Sequence, residues 1–247
     1  MNFLSLYKRQ IFYFLKKKIN IDLDTSSKNL PLEKLFIKYG SDKANFWVKK
    51  NNGHGYTKFY LKHFKKLQFK KLNILEIGSY AGSSAAAFCK FFPNANIICL
   101  DLNISNFRYL SKKIKVFGLD ATKKESVIRL FKKININVDQ KYFDIIIDDG
   151  SHKQDDILST FKFFFKHLKS NGFYIIEDYK HMNYIKHLRT PNEPKIDDLI
   201  NYLIKKKIFK SKILSLSFQR ELFKKIKMIK YYKGLSKISN IVFFKKN

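Results

Sequence analysis

The stretch FDIIIDDGSHKQDD, residues 143 to 156, ends an apolar run in two adjacent carboxylates, Asp148 and Asp149, and sets His152 three residues beyond the second. A later run, GFYIIED, ends the same way in Glu177 and Asp178. Oxygen donors such as Asp149, Glu177 and Asp178, brought together, suit Mg²⁺ or a similar hard cation. Without a cation, three close carboxylates would raise one another's pKa. A neutral imidazole at position 152 can take a proton from a hydroxyl near pH 7. A metal-bound hydroxyl is more acidic, which eases that transfer. His152 is therefore the candidate catalytic base, and Asp149, Glu177 and Asp178 are the candidate metal ligands.

Other acidic residues occupy corresponding places. LNILEIG ends in Glu76 and Gly78, NIICLDL in Asp101, and KVFGLD in Asp120. A chain with 20 acidic residues against 50 basic ones thus sets seven of them at the ends of apolar runs. One such residue could be a helix N-cap; seven argue for a ligand that needs hydroxyl acceptors, a cation, or both. Asp155 and Asp156 need no such reading. They fall in the first turn of a helix, where the macrodipole favours them.

The elements that would position these residues alternate. From Leu72 onward, apolar strand-like runs are separated by segments with helical spacing, as in Val127, Leu130, Phe131 and Ile134, or Ile157, Phe161, Phe164, Phe165 and Leu168. FDIIID has almost no polar alternation, as a strand covered on both faces requires. This order predicts an α/β fold: a Rossmann-like, doubly wound, mostly parallel sheet, with ligands beyond the carboxyl ends of its strands. KILSLSFQ and NIVFFKK read as terminal strands forming an antiparallel pair. NLPLEKLFIKYG reads as a short helix that Pro31 opens and Gly40 closes. SDKANFWVKKNNGHGYT reads as a loop, in which His54 and Tyr56 could close over the site. Residues 1–70 are expected to form an N-terminal helical extension and lid, and 71–247 the main domain. His63, His167, His181 and His187 sit among lysines and are expected to face solvent.

The formal charge of +30 first suggests nucleic acid or an anionic membrane. Only five of the basic residues are arginines, Arg9, Arg108, Arg129, Arg189 and Arg220, whereas phosphate and base recognition favours the arginine fork. A solvated lysine surface is the simpler reading, and nucleic acid is not the expected partner. Cys89 and Cys99 lie in apolar stretches and read as buried thiols in a reducing, cytoplasmic compartment. No apolar run is long enough to cross a bilayer. Residues 1–19 combine Phe3, Leu4, Tyr7, Ile11, Phe14 and Leu15 with intervening lysines and arginine. That segment either packs on the domain or lies on the inner face of an anionic membrane, and packing is the simpler expectation. A homo-oligomer is compatible with the sequence.

LEIGSYAGSS brackets a strand-to-helix turn with Gly78 and Gly82, but Tyr80 breaks the dinucleotide-binding pattern of glycines. E-x-G-x-x-x-G followed by Asp101 at the end of the next strand resembles the class I S-adenosylmethionine-dependent methyltransferases. The resemblance implies that Glu76, Gly78, Tyr80 and Gly82 line the cofactor, that Asp101 accepts from the two ribose hydroxyls, and that Asp120 sits by the adenine amine. Asp148 joins this cofactor-binding set.

With IEDY 28 residues after DDGSH, and with KYGSDK and HGYTKFY upstream, the chain from about Leu35 to Tyr179 is similar to the metal-dependent sugar O-methyltransferases of the macrolide and tetracenomycin type. Ala44 stands where that family commonly has glycine. The resemblance implies S-adenosylmethionine and Mg²⁺ as cofactors and a sugar or glycan hydroxyl as acceptor, with Asp149, Glu177 and Asp178 on the metal and His152 as base. The alternatives are a nucleic-acid methyltransferase, which usually carries a D/N/S-P-P-aromatic motif where this chain has DDGSH, or a hydroxylase-like enzyme on the same scaffold.

Overall fold

The computed structural model describes residues 17–47, 51–137 and 140–247. Most of the basic, aromatic segment 1–19 lies outside them. No helix among the described residues is long and apolar enough to cross a membrane. Seven strands form one sheet: β1 (Leu72–Ile77), β2 (Ala95–Asp101), β3 (Ile114–Gly118), β4 (Phe143–Asp148), β5 (Leu168–Glu177), β6 (Ile226–Lys233) and β7 (Asn240–Lys246). Their order is β6-β7-β5-β4-β1-β2-β3. The pairs β1–β4, β4–β5 and β2–β3 are parallel, whereas β7 runs antiparallel to β5 and to β6. The expected α/β architecture and its antiparallel C-terminal end are both present. The chain divides into two compact units, Met1–Lys71 with Gly78–Leu119, and Leu72–Ile77 with Asp120–Asn247.

In the first unit, α1 (Leu32–Tyr39) begins after Pro31 and buries Leu32, Leu35, Phe36 and Tyr39 on one face. Gly40, at φ 76°, ends it in the left-handed conformation that glycine adopts without a Cβ penalty. Helix α2 (Thr57–Phe64) and helix α3 (Ser83–Phe91) complete an aromatic cluster. The Phe88 ring lies 5.3 Å from Phe36 and 5.2 Å from Tyr60. Ala85, Ala86 and Ala87 are buried with it, as a helix of small residues packed closely must be.

The polar segment before α2 is more ordered than its composition suggests. Phe46–Trp47 pairs antiparallel with Asn51–Asn52, and the amides of His54, Gly55 and Tyr56 donate to the carbonyls of Asp42, Ala44 and Lys43. A Cβ on Gly53 would sit 2.1 Å from the Ala44 carbonyl oxygen, so only glycine fits there. Tyr56 is fully buried and belongs to the core of this unit. The His54 ring stacks on it at 5.3 Å.

In the second unit, α4 (Lys124–Lys133) and α5 (Gln154–Phe164) bury apolar stripes, and β4 is buried at Phe143, Ile145, Ile146 and Ile147. Short α6 (His181–Tyr184), α7 (Ile196–Ile204) and α8 (Leu216–Lys225) follow β5. Helix α8 corrects the sequence reading of KILSLSFQ as a strand. Its alternation of Leu and Ser mimics a strand, but the Ser215 hydroxyl accepts from the Phe218 amide and caps a helix. Gln219, buried on that helix, bonds the backbone of Phe209 and Leu214. The strand that pairs with β7 is instead β6, IKMIKYYK.

One further expectation fails on burial. His167 is buried; its Nδ1 lies 3.0 Å from the Gln140 carbonyl oxygen and its ring packs 4.3 Å from Phe131. Lys246 is also buried, and its ammonium donates to the carbonyls of Phe165, Lys166 and Leu168.

Candidate active site

The glycine turn belongs to the first unit. Three of its residues take the left-handed backbone: Gly78 at φ 83°, Tyr80 at φ 43° and Gly82 at φ 76°. The amides of Gly78 and Ser79 donate to the Leu100 carbonyl, which fixes the turn to the end of β2. A Cβ on Gly82 would meet the buried Phe107 ring at 2.4 Å, so glycine is required for both backbone and space. The side chain of Asp101 organises the same turn. Its Oδ2 accepts from the Tyr80 amide at 2.7 Å and its Oδ1 from the Asn103 amide at 2.9 Å. Each oxygen keeps a second lone pair for a hydroxyl donor.

The remaining candidates lie in the second unit. Glu76 is buried near the end of β1. Asp120 accepts from the amide and hydroxyl of Thr122, a local turn that holds the carboxylate at the start of the loop before α4. Asp148, expected beside the cofactor, faces inward: Thr160 and Tyr174 hydroxyls donate to it, the latter at 3.2 Å. Burial pushes its carboxyl up to about 7, against the lowering effect of those two hydroxyls. Its role in the fold is to tie β4 to α5 and β5.

Asp149 points away from that interior. Its amide donates to the Ile77 carbonyl at 2.9 Å, which anchors the loop after β4. Ser151 then bonds Asp156 in the first turn of α5, and His152 sits at φ 57° between them. Asp178 leaves β5 at φ 52°, and α6 starts with His181, whose amide donates to the Asp178 carbonyl. Two strand ends thereby bring one ligand atom each of Asp149, His152 and Asp178 within 4.8 Å of one another. Asp178 is almost buried, with 6% of its side chain exposed, so this carboxylate lies in a poorly solvated place. Glu177, expected as a third carboxylate ligand, is buried in β5 opposite Ile241 and is not part of that group; His152 is. Strand alternation sends neighbouring side chains to opposite faces, which separates Glu177 from Asp178.

His181 was missed. Its ring lies 4.5 Å from that of His152 at 72°, and its Nε2 lies 4.0 Å from Asp178 Oδ2. The available signal was spacing: Asp178-x-x-His181 repeats Asp149-x-x-His152. The loop beyond is pinned by Gln154, which bonds the carbonyls of Glu193 and Pro194 and the amide of Thr190. Asp197 of α7 holds Lys180 and Asn183.

Residues 75–179 match the family described as "Methyltransferase domain". The chain is 30% identical over 161 residues to L-olivosyl-oleandolide 3-O-methyltransferase of Streptomyces antibioticus, a match covering 62% of this chain and 38% of that protein. It is 28% identical over 159 residues to mycinamicin VI 2''-O-methyltransferase of Micromonospora griseorubida, covering 62% and 37%. The matched region thus spans under two fifths of these relatives' length. A solved structure of the MycE methyltransferase from the mycinamycin pathway, in complex with Mg and SAH, superposes with a TM-score of 0.68 at 24% identity. That match covers 90% of this chain and 56% of the other. The chain has the Rossmann-like methyltransferase fold, and its sequence resembles the macrolide and tetracenomycin sugar O-methyltransferases.

Proposed function

We propose that this protein is an S-adenosylmethionine-dependent O-methyltransferase that methylates a sugar hydroxyl of a glycan or glycosylated metabolite with the help of a divalent cation, Mg²⁺ being the reference ion. The observation that carries the reading is the meeting of Asp149, His152 and Asp178 within 4.8 Å, inside the stretch that matches a methyltransferase domain. The donor set fits such a cation, since two carboxylates supply hard oxygens with the imidazole beside them. The relatives' names, which specify sugar positions of macrolide and tetracenomycin glycosides, support a sugar acceptor.

When bound, the cation lowers the pKa of a coordinated hydroxyl, and S-adenosylmethionine supplies the methyl group. Asp149 and Asp178 would hold the cation, and Glu177 is buried in β5. His152 Nε2 accepts the proton of the sugar hydroxyl as its oxygen takes the methyl group from the sulfonium, whose methyl C–S bond breaks to leave S-adenosylhomocysteine. Asp101 takes the ribose hydroxyls on the lone pairs that its two backbone donors leave open. Asp120 flanks the adenine, and the Gly78–Gly82 turn gives the methyl donor access to the backbone. Correct placement of the two reactants supplies much of the acceleration. We place the reaction in the cytoplasm.

Labelled S-adenosylmethionine and a panel of rhamnosides and macrolide glycosides, with and without EDTA, test the reading. Methyl transfer to a sugar oxygen that EDTA abolishes is expected. Metal-independent turnover, or full turnover in His152→Asn, would overturn the mechanism.

A further inference from the structure

Helices α4, α5 and α8 of the second unit border a cleft of about 340 Å³, within the size range of small-molecule sites. Val127, Ile128 and Phe131 of α4, Phe163 of α5 and Phe218 of α8 form its apolar wall. Packing behind the wall fixes these rings. Phe131 lies 4.3 Å from the buried His167 ring and 6.2 Å from Phe164, and Phe218 lies 6.4 Å from Phe161. Phe131 is buried, whereas Ile128, Phe163 and Phe218 are half-buried, so the cleft runs from the surface toward the core.

Cations edge this apolar wall. Lys124, Lys162 and Lys166 all border the cleft. Lys124 begins α4, at a helix end where the macrodipole favours anions. Lys162 and Lys166 stand four residues apart where α5 finishes, a spacing at which like charges on one side of a helix repel. Glu221 also borders the cleft, but its carboxylate already accepts from the Lys225 ammonium. One anion at the lysines would offset both unfavourable placements.

We propose that this cleft binds a free fatty acid, with its alkyl chain against Phe131, Phe163 and Phe218 and its carboxylate at Lys124, Lys162 and Lys166. One methylene occupies about the same roughly 30 Å³ as one water, so the cleft takes about eleven chain carbons. That is a single chain of medium length and not the paired chains of a bilayer lipid. The site is distinct from the strand ends. Helix α5 runs 11 residues, about 16 Å, from Gln154 beside the His152 loop to Phe164 beside the cleft. The inference goes beyond the methyl-transfer reading and does not depend on it.

Calorimetric titration of the full chain with dodecanoate, below its micelle concentration, tests the site. One molecule per chain is expected to bind. Decanoate should bind about tenfold more weakly, because two fewer methylenes leave water. Dodecyl maltoside, with the same chain and no charge, should also bind at least about tenfold more weakly than dodecanoate. Lys162→Gln combined with Lys166→Gln removes only two of the 50 basic residues, yet should weaken dodecanoate by about tenfold. Phe163→Ser should weaken it by a similar factor, and thermal melts without ligand check that both variants fold.

Unchanged affinity in both folded variants overturns the site and assigns any binding to the general attraction of a chain of charge +30. Association with phosphatidylglycerol vesicles but not with free dodecanoate overturns it in favour of a membrane surface. Absence of binding to either overturns it outright.

Discussion

The glycine turn and the aspartate–histidine strand ends both lie where strands of one sheet finish, yet they are built on opposite plans. In the turn, the carboxylate is bonded at short range: Asp101 takes the amides of Tyr80 and Asn103, at 2.7 and 2.9 Å. Gly82 has no room for a side chain against Phe107. At the other strand ends the imidazoles stand 3.9 and 4.0 Å from their carboxylates, and ligand atoms of Asp149, His152 and Asp178 lie within 4.8 Å of one another. The turn is shaped by the chain's own contacts, and a ligand adds to a finished structure. The second region gathers carboxylates and imidazoles from two strand ends, whose chemistry is that of a cation and a proton acceptor. Substitutions should therefore separate the two: stability and cofactor affinity move with the turn, turnover and metal binding with the strand ends.

The largest effect is expected at His152. Asparagine tolerates the left-handed backbone there, so His152→Asn should lower kcat by about 10²- to 10⁴-fold with the melting temperature unchanged. Steady-state kinetics and thermal melts on the same preparation check this; a matching loss of stability would break the contrast.

Gly82→Ala should behave the other way. The strained φ and the clash with the Phe107 ring are expected to cost about 2–4 kcal/mol, read as a lower midpoint in urea unfolding. A silent substitution would mean that the turn is looser than its contacts indicate.

Asp101→Asn should raise the apparent Kd for S-adenosylmethionine by about tenfold, the loss of roughly one charge-assisted hydrogen bond. Calorimetry should show metal binding unaffected.

A pH-dependent effect is expected at Asp148, which sits next to Asp149 but is bonded inward. Its carboxyl is pushed up to about 7 by burial, from an ordinary value near 3.8. The folded chain thus retains a proton that the unfolded chain releases between about pH 4 and pH 7. Stability from this group is fully present below that window, falls across it as pH rises, and levels off above about 7. Asp148→Asn should flatten that slope in urea midpoints taken at pH 5 and pH 7.5.

Much of this was readable before any coordinates. The alternation from Leu72 onward gave the parallel core because buried strands and amphipathic helices have different periods. Gly40 marked a helix end, Gly78 and Gly82 a strand-to-helix turn, and Asp155 and Asp156 a helix start. Where reading failed, a local pattern was ambiguous or a distant partner decided. LSLSF alternates like a strand, but the Ser215 cap and the buried Gln219 make it a helix. His167, set among lysines, is buried because the Gln140 carbonyl and the Phe131 ring receive it.

By itself, the sequence determined which residues end the strands, because hydrophobic runs stop where carboxylates begin, and it put His152 within reach of Asp149 through three residues of chain. Only the tertiary structure decided which of those acids meet. Asp148 and Asp149 are neighbours in sequence, yet one bonds Thr160 and Tyr174 inside and the other joins the cluster. Glu177 and Asp178 part in the same way. Successive side chains at a strand end take opposite faces, and which face holds the ligand is set by neighbouring elements, far away in the chain. His181 enters the site for the same reason: β4 and β5 run parallel with their ends together, and the turn after Asp178 carries the second imidazole to the first.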